Sequence, residues 1–247
     1  MIVLGFDTAT PSTTVGLRLS DGSLSQARDD PAPGEHPGHA TRLLAMAGEL
    51  LAGAGVAWGA LERIAVGVGP GTFTGLRVGI ATARGLAQSL SVELVGVSSL
   101  QALALAAGAD GHEAVLAVLD ARRGEVFAAA YAATEGRAPQ ELSPARALAP
   151  EDLQSVLKEA ARDGGEDRQP WIAVGDGAIR YRDHLELAGV TVAADSSPLH
   201  FIGAAAICEL GASAPAAGCE QIVPDYRRRA DAEIALEGAG VVEAGAS

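Results

Sequence analysis

Lysine is almost missing from this chain, with Lys158 the single example among 18 basic residues. Acidic residues number 31, and the formal net charge is −13. A surface this acidic is repelled by phosphate backbones, which argues against independent binding of DNA or RNA. A nucleic-acid pathway stays open only through a protein partner. Cysteine is also scarce: Cys208 and Cys219 form no CxxC pair and are too few for a disulfide-built scaffold. No apolar run approaches the ~20 residues that span a bilayer. Met1 to Pro11 carries no basic segment ahead of an apolar one, so the chain is expected in the cytoplasm, with no membrane partner. What is present, 48% hydrophobic and 20% charged residues over 247 positions, describes a soluble globular protein of one large or two small domains.

The first thirty residues predict strands. Ile2 to Phe6 is an apolar run ending at Asp7, a polar turn covers Thr8 to Ser12, and Thr13 to Leu19 is β-branched and closed by the hairpin pair Asp21-Gly22. Ser23 to Arg28 can pair as a third strand, and the proline-rich stretch from Asp29 to His39 predicts a loop. Helical spacing runs from about Thr41 to Ala54 and again from about Thr72 to Leu90, with a strand at Arg63 to Val68 between them. Glu93 to Val97 predicts a strand, and Ser98 or Ser99 can cap the helix after it. The second half repeats the order: strand Ala114 to Leu119, Asp120, a polar turn, strand Glu125 to Ala132, then strand Trp171 to Val174 running into Gly175-Asp176-Gly177. Such repetition points to a duplicated α/β unit.

Few residues suggest chemistry. Asp7 leaves a strand where a carboxylate can hold a hydrated Mg²⁺ beside a phosphate, with Thr8 adding donors; the simpler reading is an acceptor for turn hydrogen bonds. Gly69 to Gly75 (GPGTFTG) joins strand to helix where a phosphate cradle would sit, yet it lacks the lysine of a Walker loop and the glycine spacing of a dinucleotide fingerprint. A tight turn with close helix packing suits it better. His36 and His39 stand three apart before the first helix, with no third ligand evident. No nucleophile with a base and an orienting group emerges.

The two helices are more informative. Phe73, Leu76, Ile80, Ala83 and Ala87 follow heptad-like spacing, and Gly71, Gly75, Gly79, Ala83 and Ala87 form a ladder of small residues that lets another helix approach. Leu43, Ala47 and Leu50 mark a stripe on the first helix, with Leu51 beside it. Helices apolar on more than one face are buried on more than one side, either by the protein's own sheet or by a partner.

The segments GFDTATPSTTVGL (5–17), VGVGPGTFTGLRVGIATARGLA (66–87), GVSSLQALA (96–104), LDARRGEVFAAAY (119–131), VGDGA (174–178) and PDYRR (224–228) together resemble the TsaB (YeaZ) family. GPGTFTGLRVG is the most specific of them. That family is the dimerisation subunit of the bacterial machinery that makes threonylcarbamoyladenosine at position 37 of tRNAs reading codons that start with A. The resemblance implies an α/β, actin-like ATPase (ASKHA) fold of two ribonuclease-H-like subdomains, here 1–104 plus 198–228 and 105–197, with a flexible tail at 229–247. It implies a non-catalytic scaffold that pairs with the catalytic paralogue TsaD and with the ATPase TsaE, meets tRNA only through the complex, and could homodimerise when alone. The paralogue carries a metal-binding HxxxH, and the matching positions here are Ser99 and Leu103, which make no metal site. No cofactor is expected, and Asp7, Thr8, Gly175 and Gly177 are candidates for a vestigial nucleotide pocket. The partner contact is expected on the helices at 41–54 and 72–90, through Leu43, Ala47, Leu50, Leu51, Phe73, Leu76, Gly79, Ile80, Ala83 and Ala87. The competing reading is an independent ATP-dependent enzyme or a metallopeptidase of the kind the name glycoprotease suggests.

Overall fold

In the computed structural model, which describes residues 1–32, 34–165 and 170–227, strands β1 (Val3–Asp7), β2 (Thr13–Arg18) and β3 (Leu24–Asp29) form an antiparallel meander. Gly22, at φ +88, supplies the backbone conformation that the β2–β3 turn needs. Helix α1 (His39–Gly53) leads to β4 (Arg63–Gly69), which pairs parallel to β1. Helix α2 (Phe73–Leu90) then leads to β5 (Glu93–Ser98), parallel to β4. The sheet order is β3-β2-β1-β4-β5.

After α3 (Ser99–Ala109) the plan recurs. β6 (Ala114–Arg122), β7 (Glu125–Ala132) and β8 (Gln140–Leu148) make a second antiparallel meander. Helix α4 (Leu153–Ala160) precedes β9 (Ile172–Val174), which is parallel to β6. Helices α5 (Asp176–Arg180) and α6 (Arg182–Leu187) precede β10 (Thr191–Val192), parallel to β9. The order β10-β9-β6-β7-β8 is the first sheet's order read from its other end. The fold is the α/β architecture of two like units that the sequence implied.

One face of the first sheet, with Leu4, Phe6, Val15 and Ile64, is covered by α1 and α2 through Leu43, Met46, Leu51 and Ile80. Each such side chain taken fully out of water stabilises the fold by roughly 1.5–3 kcal/mol. The other face receives α7 (Ala204–Ser213), which returns to β1, β2 and β4 after the whole second sheet. Glycine permits that approach: a Cβ on Gly5 would meet Cys208 Sγ at 2.7 Å, and one on Gly16 would meet Ala204 at 3.1 Å. Arg63 closes the end of α7, donating to the Gly211 carbonyl at 2.7 Å and the Ala214 carbonyl at 2.8 Å while pairing with Glu93. Those are carbonyls that a helix terminus leaves without partners. Helix α3 packs on both sheets, and its residues join theirs in one apolar layer.

Two expectations change. His39 is not in a loop but opens α1, 5% exposed, sharing a 2.8 Å hydrogen bond with Thr13 Oγ1. β6 runs past Asp120 to Arg122 through a register shift. The tail expected at 229–247 lies outside the described residues, as does Arg228 of the PDYRR segment.

Candidate functional site

Asp7 ends β1 with its carboxylate 1% exposed. Its Oδ1 accepts from the Ala9 amide at 2.7 Å, and its Oδ2 accepts from the Ser99 hydroxyl at 2.6 Å. The Ala9 contact is the two-residue side-chain turn expected of an aspartate leaving a strand. Burial pushes the Asp7 carboxyl above its ordinary value, and the Ser99 and Ala9 donors only partly oppose the rise. Gly67 makes room, since a Cβ there would run into the Asp7 carboxylate. Across the β1–β2 pair, Thr14 stands opposite Asp7, 4% exposed, with no hydrogen-bond partner for its hydroxyl among the described residues.

The glycine loop packs on the same turn. Thr72 donates its amide to the Ala9 carbonyl at 2.7 Å, and Thr8 Oγ1 donates to the Gly75 carbonyl at 2.7 Å. A Cβ on Gly71 would strike Ala9, one on Gly75 would strike the Thr8 carbonyl, and one on Gly79 would strike the Thr8 hydroxyl. This stretch of α2 is thus seated on residues 8–9 of its own chain. The first three rungs of the small-residue ladder serve that contact, not the approach of a second molecule.

In the second half, Asp120 accepts from the Arg122 amide at 2.9 Å, the same two-residue turn. Its other oxygen faces Arg180 at 3.2 Å and Arg122 at 3.5 Å. Asp176 accepts from the Asp120 amide at 3.0 Å, and burial first, then the Asp120 charge, raises its carboxyl above the ordinary value. Gly175, at φ +100, and Gly177 press on β6: a Cβ at the former would run into the Val118 carbonyl, and at the latter would meet Leu119 at 2.8 Å.

The vestigial-pocket candidates therefore fall in two places, Asp7 and Thr8 on the first sheet and Gly175 and Gly177 on the second. Helix α3 links them: Ser99 bonds to Asp7, and one turn later Leu103 Cδ1 stands 3.1 Å from where a Gly175 Cβ would be. Ser98 caps this helix, accepting from the Gln101 amide at 3.3 Å. Both residues at the HxxxH positions are 0% exposed. The sequence reading missed Thr14 and Asp176. The first is one polar residue in a β-branched strand, and only the register sets it opposite Asp7.

The expected contact residues fall mostly on the inner faces of the two helices. Leu43, Ala47, Leu51, Leu76, Gly79, Ile80, Ala83 and Ala87 are all buried within the chain itself. Only Leu50, half-buried, and Phe73, exposed, reach the surface. The spacing identified the inner face of each helix, which is the more hydrophobic one because it meets the sheet. The outer face carries Leu44, Ala45, Ala52, Arg77, Ala81 and Gly85, all exposed. At its end, Phe73 stacks on Tyr226 with ring centroids 5.1 Å apart, and Arg77 lies 3.7 Å over the Phe73 ring.

A family model described as TsaD: tRNA N6-adenosine threonylcarbamoyltransferase matches residues 35–236. The tRNA threonylcarbamoyladenosine biosynthesis protein TsaB of Escherichia coli (strain K12) is 32% identical over 193 residues, 78% of each chain. The protein of the same name from Bacillus subtilis (strain 168) is 29% identical over 239 residues, covering 94% of this chain and 96% of the relative. Among solved structures, YeaZ from Pseudomonas aeruginosa superposes with a TM-score of 0.72 at 29% identity, over 91% of this chain and 99% of that one.

Proposed function

As the chain belongs to the TsaB (YeaZ) family, whose relatives are named for threonylcarbamoyladenosine biosynthesis on tRNA, we propose that it is a non-catalytic subunit of that machinery. In this reading it works in the cytoplasm, pairs with the transferase paralogue TsaD and with TsaE, and meets tRNA only through them. The observation that carries the reading is the state of α3. Where the paralogue's motif needs two imidazoles, Ser99 has its hydroxyl committed to Asp7 at 2.6 Å and Leu103 sits at 0% exposure. A leucine in the core offers no lone pair, and a serine already donating to a carboxylate is a poor ligand.

Partner binding is assigned to the outer faces of α1 and α2. Ala45 and Ala52 on one helix, with Ala81 and Gly85 on the other, leave a low surface on which a second helix pair can lie close. The acidic net charge fits a subunit that does not hold tRNA itself.

The deciding experiment reconstitutes the modification with the same organism's TsaD and TsaE, unmodified tRNA and an activated threonylcarbamoyl donor. Threonylcarbamoyladenosine should form only when this chain is added, and the chain alone should transfer nothing and cleave no peptide. Turnover by the purified chain, lost on Asp7→Ala, would instead make it an enzyme in its own right.

A further inference from the structure

A cleft of about 910 Å³ opens far along the chain from Asp7, between the second half of α3, the segment 198–203, α7 and the turn before β8. Its volume lies within the roughly 300–1,000 Å³ typical of small-molecule sites. The walls are apolar, built from Leu105, Ala106, Leu199, Phe201 and Leu210. Leu199 and Leu210 are 6% and 5% exposed, so the floor belongs to the packed core.

The polar groups at the rim differ in what they already hold. Glu209 is paired with Arg18 at 2.9 Å, and Asp110 faces His112 at 3.7 Å. Gln26 spends its side-chain oxygen on the Ala205 amide at 3.0 Å. Arg137, on the turn between β7 and β8, is the one cation lining the cleft among the described residues, and no described carboxylate pairs with it. Behind the Phe201 wall, the Arg28 guanidinium lies 3.7 Å from the ring centroid but is already paired with Asp30 at 2.8 Å, so the anion-binding role falls to Arg137 alone. An apolar floor with an uncommitted guanidinium at its mouth matches a ligand with an apolar body and an anionic end. Guanidinium recognises a carboxylate in a planar, two-point contact.

We propose that this cleft binds a small amphiphilic carboxylate, its chain or ring against Leu105, Leu199 and Leu210 and its carboxylate on Arg137. Such a ligand would touch elements of both sheets, since Gln26 and α7 pack with the first and the 136–138 turn belongs to the second. The proposal is independent of the subunit reading above.

Calorimetric titration of the full chain with decanoate, decan-1-ol and decyltrimethylammonium tests it. Decanoate should bind with one site and a dissociation constant below about 1 mM, at least about tenfold more tightly than the alcohol or the cation. Arg137→Glu should weaken decanoate about tenfold or more and remove its advantage over the cation. Ala106→Phe, which fills the cleft, should abolish binding of decanoate and of any weaker ligand. Ala109→Trp, at an exposed position on the mouth, should do the same if the first variant loses its fold. Failure of decanoate to bind overturns the proposal. So does binding that survives both Arg137→Glu and the filling variant, or alcohol binding as tight as decanoate.

Discussion

The two halves share a strand order and differ in what covers them. The first sheet has two long helices on its outer side, α1 of 15 residues and α2 of 18, whereas the second has α4, α5 and α6 of 8, 5 and 6 residues. Long helices bury one face and still leave a second continuous face in water. Short ones are used up by the core they close, as Leu153, Val156 and Ala160 are on α4. The turn carboxylates differ in parallel. Asp7 is sealed under the start of α3, while Asp120 lies beside two exposed arginines. One topology thus yields a half with a spare surface and a turn carboxylate buried against α3, and a half without that surface whose turn carboxylate is met by arginines.

The largest effect should come from charging that spare surface. Ala81→Arg, exposed on α2, should leave the melting temperature unchanged and cost about 3–5 kcal/mol of TsaD binding, since an unpaired charge is then buried at the contact. The matching change on the other half, Gln154→Arg on α4, should leave pull-down of TsaD intact. Equal binding by both variants would show that the long helices are not the contact.

Next in size is Gly75→Ala, which drives a methyl into the Thr8 carbonyl. Urea unfolding should register a loss of about 3 kcal/mol, the upper range for overpacking. A third test sets the two turns against each other. Asp7→Ala strands the Ser99 hydroxyl and the Ala9 amide in the core and should cost about 1–3 kcal/mol, whereas Asp120→Ala, whose arginine partners are solvated, should cost about 0.5–1 kcal/mol. Reversal of that order would mean the second turn is the more tightly held.

The smallest effect is one of pH. Because burial raises the Asp7 carboxyl above 3.8, the folded chain retains a proton that the unfolded chain gives up. Stability from this group is full below pH 3.8 and falls as pH rises through the folded value. Asp7→Asn keeps an acceptor for the Ala9 amide and removes the charge. It should stay within about 1 kcal/mol of the parent at neutral pH and flatten the acid-side slope. Asp176, raised for the same first reason, should behave alike. A slope unchanged in both variants would mean that neither carboxyl is protonated by folding.

Much of the architecture could be read from residue order. The Asp–turn–strand recurrence at Asp7 and Asp120 foretold two like sheets, because hairpin chemistry is local. Strand β8 escaped notice: Pro144 and charged residues break its pattern, and it is tolerated because β8 lies at a sheet edge. The small-residue ladder was visible but not its neighbour. Glycine spacing records that something comes close, and the same spacing would serve a partner helix or the Thr8–Ala9 turn. Side-chain size along α2 therefore could not say which of its two faces was spoken for.

The return of α7 to the first sheet also bears on how the chain is made. Gly5 and Gly16 are synthesised early, yet Cys208 and Ala204, the residues that cover them, come roughly two hundred positions later. During translation the first sheet must wait, one flank uncovered, while the entire second sheet leaves the ribosome. The later half can finish folding before the earlier one. Arg63, with its guanidinium held by Glu93 from the neighbouring strand, is in position before the helix end that it will close. Ribosome-bound chains stalled so that β10 has cleared the exit tunnel and α7 has not should accordingly show protease-resistant second-half fragments and a first half that is still cut.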